Sequence, residues 1–316
     1  REIALMDQFE VSSRMYNIAH QVLSASTPLC GENLRPTIGL SYWSKHNFPA
    51  QWRDAARAAF NVDDTVKVSK VVRGSPAAKA GLKKGDQLLK VNTYPVENGA
   101  GAVAELDEVM QTYAKEDGTD PVSVVYARGD TVHNTTIKPT LTCDYTVVYD
   151  DSGTVNAFAD GNRIVMHRGI IEFTRNDDEL AMIIGHELAH NILKHIDKKK
   201  TQMVMGTLGG LLIDSLLGNT GGDFTNLGAN IGANAYSPEY EAEADYMGLY
   251  ATARAGYNIE KAPYLWRRMG ARNKDAIAMT TTHPATAERF VALEKTVAEI
   301  QAKKTANKPL VPEYKE

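Results

Sequence analysis

Cysteine is scarce in this chain, with two in 316 residues. At most one bridge can form, which excludes a disulfide-dense scaffold. No uninterrupted run reaches the roughly 20 apolar residues that a membrane-spanning helix needs. The nearest stretch, Met203 to Leu217, is rich in glycine and broken by Asp214. Nor is there a basic excess: 35 Lys and Arg against 39 Asp and Glu give a formal net charge of −4. That balance argues against nucleic acid as a partner, and Lys198-Lys199-Lys200 reads as a solvated face. The chain is longer than one domain of about 100–200 residues, so two domains are predicted.

What the chain does have is an H-E-x-x-H sequence, His186-Glu187-Leu188-Ala189-His190, at the end of an apolar run from Leu180 to Gly185. Asn176 is placed to cap a helix there, with Glu179 reaching back. The run is apolar on every side, so the helix is expected to be buried. Residues four apart share a helix face, and both imidazoles can reach one metal ion while Glu187 holds a water beside it. A catalytic zinc site needs three protein ligands and an open position. The extended pattern H-E-x-x-H-x-x-G-x-x-H is absent, because Leu193 and Ile196 stand where glycine and histidine belong. His195 comes one residue too early and reads as a surface or outer histidine. A better source lies downstream. Ser237 and Pro238 open a second helix, on which Glu241 and Asp245 lie one turn apart. One carboxylate can reach the metal while the other fixes the tautomer of a ligand histidine. Glu239 and Glu243 lie on another face and read as solvated acids.

Residues 33–140 have a different texture. Val66 to Val72 alternates like a strand, and Asp86 to Asn92 reads as another. Ser75-Pro76 opens a short helix that Gly81 ends. Val103, Leu106, Met110 and Tyr113 fit one helix face. Val122 to Ala127 and Thr131 to Ile137 form a hairpin around Arg128-Gly129-Asp130.

The two metal segments together resemble the M48 family of zinc metallopeptidases, which pairs H-E-x-x-H with a later E-x-x-x-D. Here the second string runs Ser237, Glu241, Ala244-Asp245 and Gly248. Asn156-Ala157-Phe158, Asp178-Glu179-Leu180, Ala255-Gly256-Tyr257 and Thr282-His283-Pro284 with Arg289 follow in the family's order. The likeness is loose over 1–25 and good over 143–300. It implies one Zn2+ per chain on His186, His190 and Glu241, with Glu187 as general base and Asp245 as partner of a ligand histidine. It also implies that Asn156 and Ala157 lie on an edge strand that pairs with substrate backbone, and that His283 and Arg289 face the cleft. His283 is implied either to stabilise the oxyanion or to take the fourth metal position in a closed state. Sequence alone leaves both open.

The string from Gly74 to Asn92 closely resembles PDZ domains of the bacterial protease type. Ile38, Gly39 and Leu40 then correspond to the loop that binds a peptide's C-terminal carboxylate. Residues 43–65 are a long insertion that could cover or reshape that groove. Cys30 and Cys143 bracket the module, and the ends of an inserted domain usually lie close together. A disulfide across its base is the expected pairing, with two unpaired buried thiols as the alternative. A bridge implies an oxidising compartment such as a bacterial periplasm. The chain starts at Arg1, and is read as a mature or truncated form with its signal peptide removed.

The expected fold class is α+β: a mostly helical zincin-type metallopeptidase domain with a small sheet, plus an inserted PDZ-like β domain. Residues 1–32 are expected as a helix packed on the peptidase domain through Leu5, Phe9, Ile18 and Val22. Residues 33–140 form the inserted module and 141–316 the peptidase domain. Polypeptides are the expected substrates, and C-terminal peptides the expected ligands of the module. The segment from Met203 is expected as a mobile helical lid, with membrane-surface association as a second reading. The leading function is a zinc endopeptidase acting on misfolded or unassembled envelope proteins. A latent peptidase acting as a chaperone or scaffold is the alternative, and a regulatory protease with one defined partner a third.

Overall fold

A computed structural model of the chain describes residues 1–115, 120–199, 236–272, 283 and 287–313. The segment expected as a lid, from Met203 onward, lies outside the described residues, as do Thr282 and Pro284. Two units are formed, Arg1–Asp144 and Tyr145–Glu316.

In the first unit, period-two alternation builds an antiparallel sheet. Its strands are β2 (Leu40–Trp43), β3 (Lys67–Val71), β4 (Gln87–Val91), β6 (Val122–Arg128) and β7 (Thr131–Ile137), in the order β2-β3-β4-β6-β7, with the short β5 (Tyr94–Pro95) on β4. Val122, Val124 and Tyr126 alternate inward on β6, as the pleat requires. The β6–β7 hairpin pairs from Val122↔Ile137 to Arg128↔Thr131. Ser75 Oγ caps α3 (Pro76–Lys79) by accepting from the Ala78 N–H. Leu106 of α4 (Ala102–Lys115) joins Ile38, Val68 and Leu88 in the core.

Helix α1 (Glu2–Ala25) also belongs to this unit. The expectation places it on the peptidase domain, whereas the first compact unit runs from Arg1 to Asp144 and takes it in. The physical reason is an aromatic cluster. The Phe9 ring stands 5.3 Å from both Trp43 and Phe60, and Phe60 ends α2 (Arg53–Phe60) of the insertion. The insertion thus provides packing for α1.

The chain enters and leaves the sheet through a two-stranded ladder. β1 (Leu34–Thr37) pairs with β8 (Thr140–Cys143) from Leu34↔Cys143 to Thr37↔Thr140. Cys30 and Cys143 form a disulfide there, with their Cα atoms 5.8 Å apart, an ordinary span for such a bond.

The second unit has a three-stranded sheet in the order β10-β11-β9. β11 (Arg163–His167) is parallel to β9 (Thr146–Asp150) and antiparallel to the edge strand β10 (Ala157–Ala159). After α5 (Arg168–Phe173) comes α6 (Asp177–Ile192), buried at every residue from Glu179 to Asn191. Asn176 caps α6 through the Glu179 N–H. Glu179 reaches back one residue further than a capping box does, to the Arg175 N–H at 2.7 Å, and takes two bonds from Arg268. Against α6 lies α7 (Pro238–Arg254), opened by Ser237. α8 (Ala262–Arg272) and α9 (Ala287–Thr305) complete the described helices. The contact between α6 and α7 is backbone on backbone. A Cβ on Gly248 would stand 2.9 Å from the His186 N and Cα, and one on Gly185 would stand 2.7 Å from the Gly248 carbonyl oxygen.

Two outcomes are expected. Replacing Cys30 and Cys143 by serine removes a closure of long sequence span, worth about 4–5 kcal/mol in the chain-entropy model; urea unfolding of the first unit should shift by that order, and an unchanged midpoint would contradict it. Glu179→Gln should cost about 1–3 kcal/mol at neutral pH by weakening charged hydrogen bonds. Burial opposes the Glu179 charge, but Arg268 and the Arg175 N–H outweigh it and hold the carboxyl below its usual range. The contribution is therefore complete above the unfolded value, about 4.3, and fades as pH falls through the lower folded value. The stability gap between the native chain and this variant should close in that acid window.

Candidate metal centre

α6 brings His186 and His190 onto one face, and α7 turns Glu241 toward them. His186 Nε2 stands 3.1 Å from His190 Nε2 and 3.5 Å from Glu241 Oε2. His190 Nε2 is 3.4 Å from Glu241 Oε1. His283 completes the set: its Nδ1 lies 2.9 Å from Glu241 Oε1 and 3.2 Å from His186 Nε2. The four donor atoms all lie within 4.8 Å of one another. Ligands held at roughly 2.0–2.2 Å around a tetrahedral ion stand about 3.3–3.5 Å apart, so the spacing suits one metal ion.

Each outer nitrogen has a polar neighbour, and that of His190 makes a hydrogen bond. His186 Nδ1 lies 3.0 Å from Asp245 Oδ1. His190 Nδ1 lies 2.9 Å from His195 Nδ1, and His195 Nε2 lies 3.1 Å from Glu243 Oε2. His283 Nε2 lies 3.2 Å from Glu187 Oε1. With a metal bound, a proton on each outward nitrogen would leave three lone pairs and a carboxylate oxygen converging on one point. A metal ion fits such a set, with the partners behind each ring holding its orientation. Burial opposes charge on His186, but Asp245 and Glu241 outweigh it and lift the imidazole to about 10. Burial drives His190 well below its ordinary range. The cluster thus favours positive charge at its centre without charging every ring.

Two expectations need correction. Arg289 does not line the cleft. It is 3% exposed and lies behind the carboxylates, with Nε and Nη2 on Asp245 at 2.7 and 2.8 Å and Nη1 on Glu241 at 2.7 Å. Burial opposes the charge on Glu241, yet His283 and Arg289 hold its carboxyl well below the usual range. Glu243 is not merely a solvated acid, since it anchors the buried His195, itself the outer support of His190.

Glu187 is buried beside this set, and burial raises its carboxyl above the ordinary range. The Ala159 backbone N–H faces it. Along β10 the Asn156 carbonyl accepts from the His167 N–H at 3.3 Å, and the Asp160 N–H donates to the Arg163 carbonyl at 3.1 Å. Asn156 therefore pairs inward, and alternation turns the backbone groups of Ala157 and Ala159 to the outer edge. Sequence reasoning missed Tyr236, whose ring stacks on His190 at 4.0 Å and whose hydroxyl donates to the Ala159 carbonyl at 3.4 Å. Asn191 was also missed. A polar residue in a buried helix needs partners, and that signal could have found it.

In the first unit, Ile38 is in the core and Gly39 has φ +68°, a conformation that favours glycine. A Cβ there would stand 2.3 Å from Ser75 Cβ. The Gly39 N–H donates to Thr37 Oγ1 at 3.1 Å, so a carboxylate binding that amide must displace the hydroxyl. β2 is the edge strand beside this loop, and Tyr42 donates to Asp107 of α4 at 2.6 Å.

Arg289→Met should leave Glu241 and Asp245 buried without their guanidinium. Removing one partner of a buried ion pair costs about 3–5 kcal/mol, so urea unfolding should show a loss of that order, and native-like stability would contradict the clamp.

Residues 132–297 match the model of peptidase family M48, and residues 36–138 match a PDZ domain model. The mitochondrial metalloendopeptidase OMA1 of Schizosaccharomyces pombe is 29% identical over 175 residues, covering 52% of this chain and 51% of that protein. The beta-barrel assembly-enhancing protease of Yersinia pestis is 26% identical over 144 residues, covering 41% of this chain and 30% of that protein. The chain thus spans about half the length, or less, of these curated relatives. A solved HtrA3 PDZ domain bound to a phage-derived ligand aligns at 22% identity over 34% of this chain and 88% of its own, with a TM-score of 0.25. The M48 model covers over half of the residues, including both helices of the metal cluster, and the chain belongs to peptidase family M48.

Proposed function

We propose that this chain is a zinc-dependent endopeptidase of a bacterial periplasm or cell envelope, acting on extended segments of misfolded or unassembled proteins. The observation that carries this reading is the convergence of His186, His190 and Glu241 on one point with Glu187 buried beside it. Two imidazoles and a carboxylate are the donor set of many catalytic zinc sites. When bound, zinc would supply a Lewis acid for the scissile carbonyl and for the attacking water. Glu187 takes the water's proton and returns it to the leaving amine, a task that suits a carboxyl whose burial raises its pKa. Arg289 keeps Glu241 ionised, and Asp245, with His195 and Glu243, orients the imidazoles. The peptide adds as a strand to β10, pairing with Ala157 and Ala159. In the first unit, the loop at Ile38, Gly39 and Leu40 takes a peptide C-terminus. Relatives that include a mitochondrial metalloendopeptidase and a bacterial β-barrel assembly-enhancing protease support a proteolytic role at an envelope.

A second reading has an observation of its own. His283 stands in the fourth corner of the donor set and touches Glu187 through its other nitrogen. A resting state closed by this residue would make the chain a latent peptidase, with a chaperone-like or scaffolding role until His283 withdraws.

Casein hydrolysis by the zinc-loaded chain, beside Glu187→Gln, tests the first reading. The variant should keep zinc and lose turnover by about 10²–10⁴-fold, the usual worth of a general base. Equal turnover in the two would refute the assignment. Zinc-loaded protein that cleaves only after His283→Ala would favour the latent reading.

A further inference from the structure

Asn191 follows His190 directly and is 2% exposed. Both ends of its carboxamide are bonded to one turn. Oδ1 accepts from the Gly161 N–H at 2.8 Å, and Nδ2 donates to the Arg163 carbonyl at 3.0 Å. That turn joins β10 to β11. Asp160 builds it from within, accepting from the Asn162 and Arg163 N–H groups at 3.0 and 2.7 Å. Gly161 has φ +103°, which suits glycine alone. A buried side chain on the metal-site helix therefore grips the turn that ends the edge strand.

The consequence lies one residue before the turn. Ala159 presents its N–H toward Glu187 and its carbonyl to the Tyr236 hydroxyl. With Ala157 it carries the outward backbone groups of the edge, and an added strand must displace the Glu187 and Tyr236 contacts at Ala159. An added strand meets those groups at a spacing of two residues, and a slip of the strand carries a different peptide bond to the reacting groups. The register between edge strand and Glu187 is thus set by whatever ties β10 to α6. The Asn191 carboxamide makes that tie at two points, close to the reacting groups.

We propose that Asn191 is a positioning residue that sets which bond of a bound peptide is cut, by holding β10 in register with Glu187. This rests on the peptidase reading above and on substrate pairing along β10.

The test uses the full zinc-loaded chain and a defined casein-derived peptide that it cuts at one principal bond. Cleaved bonds are mapped by mass spectrometry, kcat and KM are measured separately, and bound zinc is quantified. Asn191→Ala is expected to keep its zinc and to cut at several neighbouring bonds. Its KM should rise about tenfold with kcat changed far less, the size of one or two net hydrogen bonds. Asn191→Gln keeps both the amide donor and acceptor but moves them by one methylene, so it should fall between native and alanine, and it carries the test if the alanine variant does not fold. A folded, zinc-loaded variant that cuts the same single bond with unchanged KM overturns the proposal and leaves the peptidase reading intact. Loss of zinc in both variants also overturns it, since Asn191 would then act through His190. A native chain that cuts nothing, even with His283→Ala, removes the peptidase reading and this proposal with it.

Discussion

The metal cluster depends on how closely two helices approach. α6 and α7 meet at Gly185 and Gly248, where a single added methyl group on either would fall on backbone or on the Thr252 hydroxyl. Ordinary helix pairs keep their axes about 8–10 Å apart because side chains intervene. Here the missing side chains let the backbones touch beside His186. The short Glu241 carboxylate can then reach both imidazoles, and Asp245, one turn along, reaches the back of His186. The rest of the site takes its spacing from this contact: the facing rows are i, i+4 on both helices, so fixing one pair fixes the next.

Charge is the second constraint. Glu187, Glu241 and Asp245 are buried within a few ångströms of three imidazoles, an arrangement that would be costly if left unbalanced. Arg289 answers most of it with one guanidinium shared between two carboxylates, and a planar fork suits that geometry better than an ammonium group. Burial acts unequally on the groups that remain. It raises the Glu187 carboxyl above its ordinary range, while His283 and Arg289 hold Glu241 well below its own.

Much of this was legible in the sequence because it is local. The H-E-x-x-H spacing, the Ser237-Pro238 start, the strand alternation of residues 66–137 and the turn at Gly129 are each written within a few residues. What could not be read is what depends on the third dimension. Arg289 was placed at the cleft because its motif lies beside His283 in the chain, yet α9 carries it behind Glu241 and Asp245. Glu243 looked solvated because only its own helix was in view; His195, from another segment, makes it a partner. Asn156 was expected to pair with substrate, and the inward direction of its carbonyl follows only from the observed pairing with His167. Helix α1 had apolar residues to bury in either unit, and Phe9 met Trp43 and Phe60. The partners of Asn191 lie about 30 residues earlier, beyond any local pattern.

The disulfide at the base of the β1–β8 ladder has a topological effect as well as an energetic one. Residues 30–143 form a closed covalent ring, with α1 attached at Cys30 and the metal-binding unit attached at Cys143. One break in the backbone anywhere within that ring turns a loop into two branches without producing two molecules. The exposed turns of the inserted module can therefore be nicked once, and the helix that precedes it stays covalently linked to the metal site.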